Sequence, residues 1–252
     1  MWGKPRRRIY QDHSPEAVAA RLSTEPRQVY VKDFVYGGID GGVTTFAVVS
    51  GVAGAGLSSS VIIVLGLANI LADGFSMAIS NYLGTKADNQ NLENERQEEF
   101  AEIEHNPKGE REEIRQIYAS KGFAGDNLEH IVDVITSDKE RWVDTMIQEE
   151  HGLSIAPTNA GMAAWVTFWA FALIGSLPLV PFLLNWWRPA TIGSPFFISS
   201  VLTLIAFFIV GALKGKFVNH SSLRSGSETV LIGGAAAALA YIVGHLLQGL
   251  VS

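Results

Sequence analysis

Charged side chains leave four long gaps in the 252-residue chain. Between successive Asp, Glu, Lys and Arg residues, the uncharged runs are Gly41–Ala72, His151–Trp187, Pro189–Leu213 and Thr229–Ser252. Each run is longer than the roughly 20 residues with which a helix crosses the hydrocarbon core of a bilayer. The pattern predicts a helical membrane protein and excludes an ordinary soluble globular domain.

Five predicted membrane spans account for these runs. The first run is too long for one crossing, and a cluster of glycines and serines between positions 51 and 60 predicts a tight turn within it. Pro178 and Pro181 predict a kink near the end of the third span. The predicted spans are Phe34–Ala55, Ser59–Gly84, Asn159–Leu184, Pro195–Leu213 and Thr229–Val251.

The predicted fold is all-α, a five-span transmembrane helical bundle with a three-helix acidic insertion between the second and third spans. Residues 1–33 form an amino-terminal segment with a short amphipathic helix at Ser14–Ser23. Residues 34–84 hold the first two spans, and residues 159–252 hold the last three. The segment between them, residues 85–158, is named the acidic insertion below.

The distribution of basic residues predicts the orientation of the bundle. Segments on one side of the predicted spans hold eighteen Lys and Arg residues, and segments on the other side hold one, Arg188. The positive-inside rule therefore places the amino terminus, the acidic insertion and the loop 214–228 in the cytoplasm. Lys4 and Arg6–Arg8 are followed by polar residues instead of a short apolar core, which argues against a secretory signal peptide.

Composition narrows the chemistry that the chain can perform. The chain has no cysteine, which excludes disulfides and thiolate metal ligands. The acidic insertion carries eighteen acidic and eight basic side chains, although the whole chain has a net charge of only −6. Such a segment repels nucleic acid and anionic lipid, so we expect no nucleic-acid partner and expect a cation instead.

The spacing of the acidic side chains favours a metal site over a merely solvated helical surface. Four carboxylates recur at i, i+3, i+4 and i+7, a pattern that destabilises a helix unless a cation neutralises them. Glu110 and Glu113 repeat the i, i+3 pair on a second predicted helix, and two facing carboxylate helices can form a multinuclear site. The first four are Glu95, Glu98, Glu99 and Glu102.

A third predicted helix of the acidic insertion opens with a capping-box pattern at Ser137 and runs towards His151. It carries Met146 four residues before Glu150, with Glu149 beside them. Hard calcium or magnesium sites do not need a thioether ligand, so Met146 favours a transition metal such as iron(II). The alternative is the usual role of a methionine, in which this side chain only packs in a core.

Two acidic residues, Asp40 and Asp73, lie inside the predicted spans, where each costs about 2.5–3.5 kcal/mol at the bilayer centre. Asn69, Asp73 and Met77 follow at i, i+4 and i+8, so one helical face carries a column of oxygen and thioether donors. Asp40 and Met77 lie at a similar depth in the membrane from the cytoplasmic side, so we expect their side chains to lie close together. Four glycines within residues 37–42 allow close helix packing, free carbonyl groups beside a cavity, or both.

Several motifs resemble the vacuolar iron transporter family. They are the stretches Asp33–Gly41, Gly66–Asn69, Ser76–Met77 and Tyr82–Gly84, followed by the Glu-rich insertion. The resemblance covers about Asp33 to Ser252. It implies five transmembrane helices, a homodimer whose ion path runs between the two first helices, and proton-coupled export of iron(II) or manganese(II). It also implies that the acidic insertion is a cytoplasmic metal-binding domain.

The resemblance assigns roles to individual residues. Asp40 matches the pore carboxylate and Met77 the pore methionine, whereas Asn69 stands where the family has a glutamate, which leaves Asp73 as a candidate for proton coupling. Glu95, Glu98 and Glu149 are further candidate ligands from their spacing alone. The family's ligands in the metal-binding domain match Glu99, Glu102, Glu110, Glu113, Met146 and Glu150.

The expected function is therefore an antiporter in iron homeostasis, with iron(II), manganese(II) or zinc(II) as substrate and no prosthetic group. It is not expected to be an enzyme, because the insertion lacks the paired Glu-x-x-His ligands of a ferroxidase-like di-iron centre. The same sequence is also compatible with a membrane-anchored metal buffer or sensor, and with a passive channel. The expected location is the plasma (inner) membrane of a prokaryote or the vacuolar membrane of a eukaryote.

Overall fold

A computed structural model of the chain describes residues 12–22, 30–189 and 191–250. Within these ranges all regular structure is helical, which confirms the predicted all-α class. The basic cluster at Lys4 and Arg6–Arg8 and the predicted end of the fifth span at Val251 lie outside the described residues.

Ten α-helices are numbered here along the described ranges. The first is the predicted amphipathic helix, and the next two are joined by the predicted turn, where Gly56 has a φ of +70°. They are α1 (Pro15–Leu22), α2 (Val31–Gly54), α3 (Ser59–His105), α4 (Pro107–Ser120), α5 (Gly125–Thr136), α6 (Lys139–Glu149), α7 (Ala160–Ser176), α8 (Val180–Trp187), α9 (Pro195–Phe217) and α10 (Ser222–Leu246).

Helix α3 joins the second predicted span and the first carboxylate helix into one rod of 47 residues, about 70 Å long. A boundary was predicted at residues 84–85, but α3 continues through it. No proline occurs between Ser59 and His105, so the backbone hydrogen bonds run on until Pro107 starts the next helix.

The acidic insertion contains more helix than the three-helix prediction. Besides the end of α3, it holds α4, α5 and α6, and α5 was missed.

The predicted cap of α6 was also wrong. Asp138, not Ser137, caps this helix, because its carboxylate accepts a hydrogen bond from the Arg141 N–H at 2.8 Å. The Ser137 hydroxyl instead donates to the Val134 carbonyl at the end of α5.

The predicted kink of the third span is confirmed. Helix α7 ends at Ser176, a single 3₁₀ turn occupies Leu177–Leu179, and α8 continues the path. Pro178 lies in that turn and Pro181 lies in the first turn of α8, where a missing N–H is tolerated.

Four helical segments are long and apolar enough to cross a membrane: Ser59–His105, Ala160–Trp187, Pro195–Phe217 and Ser222–Leu246. Helix α2 is not among them. It has 24 residues, but six glycines and two aspartates dilute its apolar character. It is nevertheless the central helix of the bundle, packed against α3, α7, α9 and α10.

Glycines let α2 approach α7 at backbone distance. A Cβ atom added at Gly37 would lie 2.5 Å from the Thr167 carbonyl oxygen, and one at Gly41 would lie 2.4 Å from that of Phe171. Neither position can hold a side chain without moving a helix. The packing interpretation of the glycine cluster is therefore confirmed.

Two separate apolar cores hold the described residues together. The bundle core includes Phe46, Val49 and Phe207. The core of the acidic insertion includes Ile114 and Val143, which have no exposed surface. The outer faces of the bundle carry large exposed apolar side chains, as expected for helices in contact with lipid tails.

Candidate metal-binding site and membrane path

Three helices of the acidic insertion bring carboxylates to one place. The ligand atoms of Glu99, Glu102 and Glu110 lie within 4.8 Å of one another, and so do those of Glu99, Glu150 and His151. Glu99 belongs to both groups. These five residues are called the carboxylate site below.

The local sequence between α3 and α4 explains how the first group forms. Only Asn106 separates the two helices, and its side-chain oxygen accepts a hydrogen bond from the Gly109 N–H at 3.2 Å. Pro107 occupies the first position of α4, which suits a residue with no N–H. This sharp reversal folds α4 back and brings Glu110 to Glu99 and Glu102.

Two carboxylates of the site are buried without full hydrogen bonding. Glu99 is 3% exposed and Glu110 is 5% exposed. In the described part of the chain, Oε2 of each accepts no hydrogen bond. A buried charged oxygen without a partner is costly, so a site with two of them is suited to a cation.

The electrostatics of the site point in the same direction. Burial, together with the charges of Glu113, Glu99, Glu102 and Glu150, raises the pKa of Glu110 to about 7. Burial also raises the pKa of Glu99 and of Glu113. The clustered carboxylates therefore resist ionising together, and a divalent cation would relieve this repulsion.

His151 belongs to the carboxylate site although the sequence analysis assigned it no role. Its Nε2 lies 2.7 Å from Oε1 of Glu99, and its Nδ1 lies 3.3 Å from Oε2 of Glu95. The hydrogen bond with Glu99 raises the pKa of His151. The available signal was its position next to Glu150, but the contact with α3 is visible only in three dimensions.

The other predicted ligands differ in their surroundings. Met146 is fully buried in the core of the acidic insertion, one helical turn before Glu150. Glu149 forms an ion pair with Lys121, and Glu98 is exposed. Among the described residues, neither Glu98 nor Glu149 joins either carboxylate group.

Many acidic residues elsewhere in the insertion have basic partners. Arg96 pairs with Glu140 at 2.9 Å, and Arg115 pairs with Glu129 at 2.8 Å. Lys139 pairs with Glu104 at 2.9 Å. These pairs join α3 to α6 and α4 to α5. In contrast, the carboxylates of the site face mainly other carboxylates.

The membrane residues form a second acidic group. Asp40 on α2 and Asp73 on α3 are both exposed on the single chain, and they lie close enough for their charges to interact. The amide nitrogen of Asn69 donates to the hydroxyl oxygens of Thr44 and Thr45, both at 3.3 Å. Asn69 thus links α3 to α2 beside Asp40. Met77 is half-buried on α3, and its meeting with Asp40 stays a prediction.

A polar contact near the start of α2 was missed by the sequence analysis. The Asn81 amide nitrogen donates to Oδ1 of Asp33 at 2.8 Å and to Oγ1 of Thr167 at 2.7 Å. The network joins α2, α3 and α7 one helical turn beyond Met77. Asp33 therefore lies in the first turn of α2, which begins at Val31, three residues before the predicted start of the first span at Phe34.

Asp40 also lines an open cavity of about 650 Å³. Its walls are largely apolar and include Tyr36 and Val43 from α2, Phe217 from α9 and Ile232 from α10. Tyr36 is 69% exposed. A carboxylate therefore lies on an uncovered apolar face of α2.

Comparison with known proteins identifies the family. Residues 31–245 match the model of the VIT family. The chain is 38% identical over 229 residues to a vacuolar iron transporter of Toxoplasma gondii, covering 87% of this chain and 74% of that protein. It is 32% identical over 219 residues to vacuolar iron transporter 1 of Arabidopsis thaliana, covering 86% of both chains.

A third relative, vacuolar iron transporter 1 of Eucalyptus grandis, is 31% identical over 220 residues, covering 86% of both chains. These matches confirm the resemblance found in the sequence motifs, and the apolar helices fit a multi-pass membrane protein. The chain therefore belongs to the VIT family.

Proposed function

We propose that the protein exports iron(II), and manganese(II) as a second substrate, from the cytosol in exchange for protons. The observation that carries the proposal is the pair of buried carboxylate oxygens without partners, on Glu99 and Glu110. Glu99 lies on α3, the same helix that carries Asp73 and Met77 into the bundle, and Glu110 lies on α4 next to it. The names of the relatives, which are vacuolar iron transporters, support this proposal.

In the proposed mechanism, the carboxylate site collects ions for the membrane path. Glu99 follows Asp73 by 26 residues on one continuous helix, which corresponds to about 39 Å. An ion cannot be handed directly between sites so far apart. The acidic insertion instead raises the local concentration of cations at the cytoplasmic entrance, and Asp40 and Asp73 bind them in the membrane.

Helix α2 is proposed as the fifth membrane span. Its 24 residues reach about 36 Å, which is enough for a hydrocarbon core of about 30 Å. Its central position in the bundle supports this assignment. The positive-inside rule then keeps the acidic insertion in the cytoplasm, so the metal moves to the cell exterior or into the vacuolar lumen.

The working unit is proposed to be a homodimer. Asp40 and the apolar face around it are uncovered on a single chain, and an unpaired carboxylate facing lipid is costly. A second copy that packs α2 against α2 would cover this face and bring two Asp40 carboxylates to one path. This arrangement also agrees with the family resemblance of the sequence motifs.

Proton exchange is assigned to the membrane carboxylates because Asn69 cannot titrate. A metal ion that binds between Asp40 and Asp73 requires both groups in their ionised form, so metal entry displaces protons and protonation releases metal. Among the described residues, the carboxylates of Asp40 and Asp73, whose charges are close enough to interact, support this step.

Flux measurements in proteoliposomes test the proposal. Metal entry is followed with a metal-quenched dye inside the vesicle, with and without an imposed pH gradient. We expect a metal flux that increases with the gradient and is accompanied by proton movement. A buffer or sensor would give no flux, and a passive channel would give flux without protons.

The variant Asp73→Asn sharpens this test. It should remove the dependence on the pH gradient, and Asn69→Glu in the same background should partly restore it by returning a carboxylate to the same helical face. Glu104→Gln, whose exposed side chain pairs with Lys139 in the acidic insertion, is the control and should behave as the parent. If Asp73→Asn keeps the full pH dependence, proton exchange resides in Asp40.

A further inference from the structure

His151 is placed as a nitrogen ligand would be at the edge of the carboxylate site. Its ring, Glu99 and Glu150 offer one nitrogen and two carboxylate oxygens within 4.8 Å of one another. The backbone around it is held in place, because the His151 N–H bonds to the Met146 carbonyl at 3.3 Å and the Leu153 N–H bonds to that of Ile147 at 2.9 Å. Gly152, with a φ of +65°, turns the chain directly after the histidine.

The two ring nitrogens have different surroundings. Nε2 faces Glu99, whose other carboxylate oxygen is buried and accepts no hydrogen bond in the described part of the chain. Nδ1 faces Glu95. A metal-binding histidine commonly uses one nitrogen for the metal while a carboxylate holds the other N–H and orients the ring. Glu95 is positioned for this supporting role.

We propose that His151 is a metal ligand that forms, with Glu99 and Glu150, a second ion position next to the Glu99–Glu102–Glu110 position. The buried Glu99 carboxylate bridges the two positions. This inference rests on the proposed function, because it takes the carboxylate site as the place where the transported ion is first bound.

The nitrogen donor has a consequence for selectivity. An all-oxygen site suits hard ions such as manganese(II), magnesium and calcium, whereas imidazole suits zinc(II) and iron(II). His151 therefore shifts the acidic insertion towards zinc(II) and iron(II) and away from manganese(II). The Glu99–Glu102–Glu110 position lacks a nitrogen donor and should discriminate less between these ions.

Spectroscopy on the intact protein tests the ligand assignment. The full chain in detergent is loaded with zinc(II), and X-ray absorption at the zinc edge is used to look for the outer-shell scattering of an imidazole ring. We expect this signal in the parent and in His130→Gln, a control on the exposed surface of α5. We expect its loss in His151→Gln. A parent spectrum without imidazole scattering overturns the proposal whether or not any variant folds.

Competitive titrations test the selectivity. His151→Gln should lower the affinity for zinc(II) by at least about tenfold. Loss of a group that only hydrogen-bonds to a metal ligand already costs about this much, and loss of a ligand should cost no less. Its affinity for manganese(II) should fall less than roughly threefold, because manganese(II) depends mainly on the carboxylates. Equal losses for both ions would mean that His151 is only an ion-pair partner of Glu99, and would overturn the proposal.

The outcomes separate this inference from the proposed function. If the protein moves metal in proteoliposomes but zinc(II) shows only oxygen ligands, the His151 assignment fails and transport stands. If His151 binds zinc(II) but vesicles show no flux, transport fails and the ligand assignment stands.

Discussion

The membrane bundle and the acidic insertion place their carboxylates in opposite settings. Asp40 and Asp73 are exposed on the outer surfaces of α2 and α3, whereas Glu99 and Glu110 are buried between helices. One chain therefore completes the carboxylate site by itself. The proposed membrane path would be enclosed only when another surface covers α2, which is the physical argument for the proposed dimer.

The two regions also pack differently. In the bundle, glycines let helix backbones touch, as at Gly37 and Gly41. In the acidic insertion, large apolar side chains such as Trp142 fill the core, and ion pairs connect the helices at its surface. The addition of one methyl group at these glycines should therefore strongly lower the stability of the bundle. The removal of a charge should mainly change the properties of the carboxylate site.

The largest expected difference between the two regions concerns transport. Asp40→Asn should abolish metal flux, because it removes a carboxylate from the path itself. The double variant Glu99→Gln/Glu110→Gln should slow flux at low metal concentration without abolishing it, because the membrane path remains. Flux in proteoliposomes measures both. If the double variant is as inactive as Asp40→Asn, the acidic insertion is an obligatory part of the path and not only a collector.

The second prediction concerns stability of the bundle. Gly41→Ala should destabilise the protein by about 3 kcal/mol, the upper range for overpacking, because its Cβ would lie 2.4 Å from a backbone oxygen of α7. Gly84→Ala is the matched control, since its Cβ meets no atom within 4 Å. Because alanine favours a helix over glycine, this control should be neutral or stabilising. Unfolding in detergent measures both, and equal effects would contradict the packing argument.

The third prediction concerns the pH dependence of the carboxylate site. The pKa of Glu110 is raised from 4.5 to about 7, so the folded protein holds this proton more tightly than the unfolded chain does. The proton on Glu110 therefore stabilises the folded protein at pH 4.5, and this stabilisation is lost as the pH rises to 7. Glu110→Gln, which is neutral at every pH, should therefore stabilise the metal-free protein at about pH 8 and have little effect near pH 4.5.

Hydrogen exchange of the α4 backbone amides reports this local stability. The same variant should lose part of the extra protection that zinc(II) gives the parent at about pH 8, since it removes a ligand of one of the two proposed ion positions. Greater destabilisation by Glu110→Gln at high pH than at low pH would contradict the assigned direction of the shift.

The smallest expected effect belongs to acidic residues that already have basic partners. Glu104→Gln removes an exposed ion pair with Lys139 at the end of α3. Exposed pairs of this kind contribute little, so neither stability nor zinc(II) affinity should change measurably. A clear loss of zinc(II) affinity in a direct titration would mean that overall charge, and not the carboxylate site, holds the metal.

The positions of the apolar helices were more predictable from the sequence than the continuity of α3 and the helices of the acidic insertion. Long apolar runs predicted the four helical segments that are long and apolar enough to cross a membrane, and the prolines at 178 and 181 predicted the kink, because both follow from local chemistry. The unbroken passage of α3 through residue 85 was missed, since a change from apolar to charged composition does not end a helix. Helix α5 was also missed, although its apolar residues recur at i, i+3, i+4 and i+7 from Leu128 to Ile135, a spacing from which an amphipathic helix could have been predicted.

The sequence by itself determined the long apolar helices, the acidic character of the insertion and the candidate ligands other than His151. Spacing along a helix placed Glu99 with Glu102, and Pro107 and Gly109 in the sequence indicate the break between α3 and α4. Only the tertiary structure decided that His151 contacts Glu99 and that Glu149 instead pairs with Lys121. Those contacts depend on how α6 packs against α3 and α4, and helical periodicity specifies faces within a helix, not the partners that meet them.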